Sequence, residues 1–115
     1  MRAVLLRDKV IGCLEGLKGL DIVALDVSRI TDITDFMIIV SGTSNRHVKA
    51  MVDRVSSEAK EAGIPPIGVE GRDTNEWVLV DLGDVLVHVM QGQTRSIYEL
   101  ERLWSELPSD TESLI

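Results

Sequence analysis

Between positions 76 and 90 the chain reads EWVLVDLGDVLVHVM, two runs rich in valine and leucine around Gly83-Asp84. Such runs mark strands, and glycine at the first central position suits a two-residue II′ turn, so the stretch predicts a β-hairpin. With those two residues as the loop, the register follows. Leu82 faces Val85, Asp81 faces Leu86, Val80 faces Val87, Leu79 faces His88, Val78 faces Val89 and Trp77 faces Met90. Side chains alternate across a strand, so the hairpin has two separate faces. One carries Val78, Val80, Leu82, Val85, Val87 and Val89; it is wholly aliphatic and must lie against helices. The other carries Trp77, Leu79, Asp81, Leu86, His88 and Met90. A buried face does not normally hold Asp81, and an idle wet face does not normally hold Trp77 and Met90. A surface that a partner covers part of the time accommodates both, so the mixed face is expected to be a docking surface.

The same reading extends along the chain. Leu6, Val10, Cys13, Leu14 and Leu17 recur at helical spacing and predict a helix over 3–18, ended by Lys18-Gly19 with the glycine as cap. Gly12 and Gly16 weaken it by up to ~1 kcal/mol each relative to alanine, so it is expected to depend on docking. Residues 21–27, DIVALDV, and 35–41, DFMIIVS, predict strands, the second apolar on both faces and hence central. A helix then runs from the turn at 42–45 to about residue 62, burying Val48, Met51, Val52, Val55, Ala59 and Ala62. Gly63 is its left-handed cap and Pro65-Pro66 prevent continuation. Residues 67–69 predict a short edge strand, and strand, helix and strand in succession suggest a right-handed parallel crossover. After the hairpin a last helix is expected over about 95–107, with Ile97, Leu100, Leu103, Trp104 and Leu107 on one side. Pro108 ends it, leaving 108–115 as a polar, flexible tail. The order α-β-β-α-β-β-β-α predicts one α/β domain over 1–107 with a mixed sheet of about five strands.

Composition narrows the function. With 115 residues, 44% hydrophobic and 27% charged, the chain is long enough to bury a core without staples. Its single cysteine, Cys13, excludes an intramolecular disulfide and a cysteine-based zinc cluster, and fits a reducing cytoplasm. Cys13 lies on the apolar stripe, where packing outweighs reactive chemistry. No apolar run reaches the ~18 residues of a membrane span, and Asp8 and Lys9 arrive too early for a signal peptide. The net charge of -7 argues against direct binding to nucleic acid phosphates. It leaves room for a basic protein partner, including one that itself lies on RNA.

The candidate chemistry is sparse. Gly42-Thr43-Ser44 precedes a helix N-terminus, where anions are favoured, and nucleotide-transferring enzymes use a similar turn. They also need paired carboxylates for magnesium, and no DxD or DxE spacing falls inside a predicted strand; a tight turn with Thr43 or Ser44 as N-cap is the simpler reading. His47 and His88 lack the companions of a metal site. Ser44 and His47 share a helix face, but no GxSxG elbow surrounds them, so neither a catalytic residue nor a cofactor is expected. Trp104 falls on the apolar side of the last helix. Tyr98 lies roughly 100° around that helix from Ile97, beside Arg95 and Arg102, as at an interface rim.

Taken in order, several stretches resemble the ribosomal silencing factor family, also called the Iojap family. They are Lys18-x-x-Asp21-Ile22, Thr31-Asp32 with Asp35-Phe36, and Gly42-Thr43-Ser44-Asn45-Arg46-His47-Val48. Glu70-Gly71, Trp77-Val78-Leu79-Val80-Asp81, Val87-His88-Val89 and Arg95-x-x-Tyr98-x-Leu100-Glu101-x-Leu103-Trp104 continue the likeness, which covers about residues 5–105. The resemblance implies a fold similar to nucleotidyltransferases without their metal-binding carboxylates. It also implies a translational repressor that binds the L-fourteen protein of the large ribosomal subunit and sterically blocks joining of the small subunit when nutrients fall. On this reading Trp77, Leu79, Leu86 and Met90 form the apolar centre of the contact, Asp81 pairs with a basic side chain, and His88 and Tyr98 lie nearer the rim. The alternatives are a nucleotide-binding or nucleotidyltransferase-like protein using Gly42 and Ser44, and a homodimer formed through the mixed face.

Overall fold

The hairpin turn closes as its glycine requires. Gly83 has φ 85°, Leu82 N–H donates to Val85 O at 3.0 Å, and Asp81 Oδ1 accepts from Gly83 N–H at 2.8 Å. The strands on either side, β4 (Trp77–Asp81) and β5 (Val85–Gln91), pair in the expected register from Asp81 with Leu86 to Trp77 with Met90. The computed structural model describes residues 1–98, of which 96–98 by their backbone alone. Within them the other elements are α1 (Ala3–Gly16), β1 (Leu20–Asp26), β2 (Phe36–Gly42), α2 (Asn45–Glu61), β3 (Gly68–Glu70) and α3 (Gly92–Tyr98).

The five strands form one sheet in the order β1-β2-β5-β4-β3. Only β2 and β5 are parallel neighbours; the other pairs are antiparallel, so the sheet is mixed as expected. β2 is buried along its whole length between β1 and β5, and β3 takes the edge. α2 carries the chain from β2 across to that edge, and β3 runs parallel to β2 although β5 and β4 lie between them.

Helices α1 and α2 pack on one side of the sheet. Leu6, Val10 and Leu14 of α1 and Val48, Met51, Val52 and Val55 of α2 meet Ile38, Val40, Val78, Val80, Val87 and Val89, all at most 2% exposed. Cys13 belongs to this core, and burial raises its thiol to about 11, which keeps it protonated and unreactive.

The end of α1 differs from expectation. The left-handed residue is Lys18, at φ 59°, and not Gly19. Lys18 N–H donates to Glu15 O and Gly19 N–H to Leu14 O, the paired bonds of a Schellman motif. Gly19 is needed for room instead, since a Cβ there would lie 2.6 Å from Val40 Cγ2. The last helix also starts early. β5 runs directly into α3 at Gly92, so residues 92–94 are helical where a connection was expected. The expected stripe of Leu100, Leu103, Trp104 and Leu107, and the tail at 108–115, lie outside the described residues.

Candidate functional site

The face opposite α1 and α2 is divided. On the β1–β2 side Val27, Met37, Ile39 and Met90 form a second small core, with Leu25, Ile30 and Trp77 packed around it. α3 closes one end of this side, where buried Arg95 donates through Nη1 to Asp21 O at 2.6 Å and to Ser41 Oγ at 3.0 Å. Met90 is therefore not part of a contact surface. It is 0% exposed, because its position opposite Ser41 puts it under this second core rather than at the centre of the exposed half.

On the β3–β5 side Trp77, Leu79, Asp81 and Leu86 remain half-buried. Glu70, Gly71, Trp77, Leu79 and His88 line a shallow concavity of about 220 Å³. Glu70 and Gly71 are not among the contact residues expected from the sequence. Glu70 pairs with Leu79, which puts the two on one face, because the strand extends one residue beyond the expected 67–69.

Each remaining side chain of this half has an identifiable constraint. His88 does not bond Asp81. Its Nδ1 accepts from Trp77 Nε1–H at 3.0 Å, with the ring centroids 5.9 Å apart and the planes inclined by 46°. Burial pushes the imidazole down to about 4, so it is neutral at neutral pH, and with Nδ1 accepting, its proton resides on Nε2. At 9% exposure His88 is a floor residue of the concavity and not a rim residue. Asp81 commits one oxygen to the Gly83 N–H and carries no ion pair among the described residues. Tyr98 is the last described residue of α3, which packs on this same side of the sheet; its side chain lies outside the described part.

The turn before α2 is built for packing and capping. A Cβ on Gly42 would lie 2.9 Å from Val48 Cγ2 and 3.1 Å from Met51 Cε, so that glycine lets the end of β2 approach α2. Ser44 is the N-cap, its Oγ accepting from His47 N–H at 3.1 Å. His47 in turn accepts from Thr43 N–H through Nδ1 and donates from Nε2 to Leu17 O at 2.8 Å, bracing the end of α1 against the start of α2. Its ring is thus engaged at both nitrogens and is not poised as a base for Ser44. Ser44→Ala is expected to cost ~1 kcal/mol of stability, read as a lowered urea midpoint with unchanged slope.

Among the described residues no group of three or more His, Cys, Asp or Glu is placed to hold a metal ion, and no helix is long and apolar enough to cross a membrane. The fold and this face define a small α/β domain with one sheet face sealed by helices and the other half exposed around a tryptophan–histidine pair. Residues 4–114 match the family described as ribosomal silencing factor during starvation. The chain is 51% identical over 92 residues to a ribosomal silencing factor of Haemophilus influenzae, covering 80% of this chain and 90% of that one. It is 49% identical over 94 residues to the ribosomal silencing factor of Chromobacterium violaceum, covering 82% and 77%. A crystal structure of a Chromobacterium violaceum protein superposes with a TM-score of 0.89 at 44% identity, covering 94% of this chain and 90% of that one. The chain belongs to the ribosomal silencing factor family.

Proposed function

We propose that this chain represses translation by docking the β3–β5 half of its sheet on the basic L-fourteen protein of the large ribosomal subunit. Bound there, in the cytoplasm, it occludes the surface that the small subunit must meet. The observation that carries this reading is the half-buried group of Trp77, Leu79 and Leu86 beside Asp81, in a member of a family of silencing factors. Apolar side chains ringed by polar ones are the anatomy of a protein interface, and a large aromatic at its centre is the common energetic anchor. The net charge of -7 complements a basic partner and would steer its approach, making association faster at low salt. Occlusion requires no bond to be made or broken, so no residue has a catalytic role.

The test is binding of the purified chain to isolated large subunits, to small subunits and to the L-fourteen protein alone. Wild type is expected to bind the first and third. Trp77→Ala is expected to weaken both by about 2 kcal/mol, roughly thirtyfold in Kd, with its far-UV spectrum unchanged. Binding to large subunits without binding to the L-fourteen protein would move the contact elsewhere. Equal affinity for wild type and Trp77→Ala would remove the proposed centre, and no binding to either subunit would end the reading.

A further inference from the structure

Trp77 and His88 are not opposite each other across the hairpin. Trp77 pairs with Met90 and His88 with Leu79, so the two rings meet on the diagonal, a distance that only large side chains span. The result joins a half-buried indole to a buried base. Nε1–H of Trp77 is an obligatory donor with no acceptor function, and His88 Nδ1 supplies an acceptor 3.0 Å away from beneath the surface. A partner covering this face would strip water from an indole N–H that lacked such an acceptor, and the loss would oppose binding. An indole already bonded and already oriented docks without that loss and with less side-chain freedom to surrender.

We propose that His88 is the positioning residue of the docking face, its Nδ1 lone pair holding the Trp77 indole in the orientation that meets the partner. This inference rests on the reading of the β3–β5 half as the ribosome-docking surface.

The surroundings of His88 leave that lone pair available. From β3, Glu70 lines the same concavity; from β4, Asp81 is turned toward the Gly83 N–H. From β2 the neighbours on this face are Met37 and Ile39, and from β1 Leu25, none of them charged. Arg95 of α3 is bound to Asp21 O and Ser41 Oγ, and Arg29 and Asp32 of the connection before β2 are exposed. Burial keeps the imidazole neutral well below neutral pH, so the acceptor is present throughout the neutral range.

Three substitutions separate the acceptor from the volume. His88→Leu removes the acceptor and keeps an apolar body. His88→Asn returns an amide oxygen close to the place of Nδ1. Trp77→Phe removes the donor. Two readouts are used: Kd for isolated large subunits at neutral pH, and solvent exchange of the Trp77 indole proton in the free protein, assigned by its loss in Trp77→Phe. His88→Leu and Trp77→Phe are each expected to weaken binding at least ~fivefold, with the double variant no weaker than the worse single one. His88→Asn keeps affinity near wild type. The indole proton exchanges slowly in wild type and His88→Asn and rapidly in His88→Leu. Wild-type affinity in His88→Leu would overturn the proposal, as would a loss in His88→Asn equal to that in His88→Leu, because volume and not the lone pair would then decide. If wild type fails to bind large subunits, the docking reading falls by itself. The free-protein exchange then decides the positioning role, and equal exchange in all three proteins overturns it.

Discussion

Gly71→Ala is expected to lower the unfolding free energy by about 3 kcal/mol, more than any other glycine substitution in the exposed loops. Gly71 has φ 96°, a conformation that an L side chain adopts only with strain. A Cβ there would also lie 2.1 Å from the carbonyl oxygen of Trp77. That neighbour is backbone in the first residue of β4 and has no rotamer by which to move away. Gly71 O further accepts from Asn75 N–H at 3.1 Å, so a shift to relieve the clash opens the loop joining β3 to β4. Gly12→Ala is the control. Nothing lies within 4 Å of a Cβ at Gly12, and alanine in mid-helix is expected to stabilise α1 by up to ~1 kcal/mol. Urea unfolding of the two variants should shift in opposite directions. A shift of Gly71→Ala smaller than that of an ordinary surface substitution would show that the loop accommodates a side chain.

The second large effect is a loss of stability in mild acid. Burial lowers His88 from 6.5 to about 4 in the folded chain, whereas the unfolded chain keeps the ordinary value. Between these limits the unfolded state binds the extra proton. The contribution is therefore complete above pH 6.5 and is lost as pH falls toward 4, amounting to about 3 kcal/mol in total. Asp26, held below the usual carboxylate range by Ser28, and Asp53, held below it by Lys49, act only at lower pH and leave the window clear. His88→Asn should flatten the dependence of the urea midpoint between pH 6.5 and 4. A wild-type midpoint constant across that range would refute a buried neutral imidazole.

The hairpin was legible in the sequence because its two determinants are local. Gly83 fixes the turn, and alternation fixes which residues share a face once the loop length is known. The observed register from Asp81–Leu86 to Trp77–Met90 follows from those two facts alone. What local pattern does not reveal is which part of a face another element covers. Met90 and Leu86 look alike along β5, yet Met90 is sealed by residues of β1, β2 and the connection after Val27, while Leu86 stays half-buried. The same holds for His88, whose partner is set by a diagonal across two strands rather than by the rung it shares with Leu79. At Lys18 the propensity of glycine for left-handed backbone pointed one residue too far, because packing against Val40 had a prior claim on Gly19.

The strand order carries a consequence for how the chain is made. β5, the last strand among the described residues, occupies the middle of the sheet and joins β2 to β4. A growing chain that has emitted β1 to β4 holds two separate halves, each with an inner edge bare of hydrogen bonds. The β4–β5 hairpin forms on its own within microseconds once both strands are free, since its contacts are local. Pairing of Phe36 with Val85 spans almost half the chain and pays its loop-closure entropy first. Completion of the core is thus deferred until synthesis of the C-terminal part, and the nascent protein keeps its apolar edges uncovered for most of its time on the ribosome that makes it.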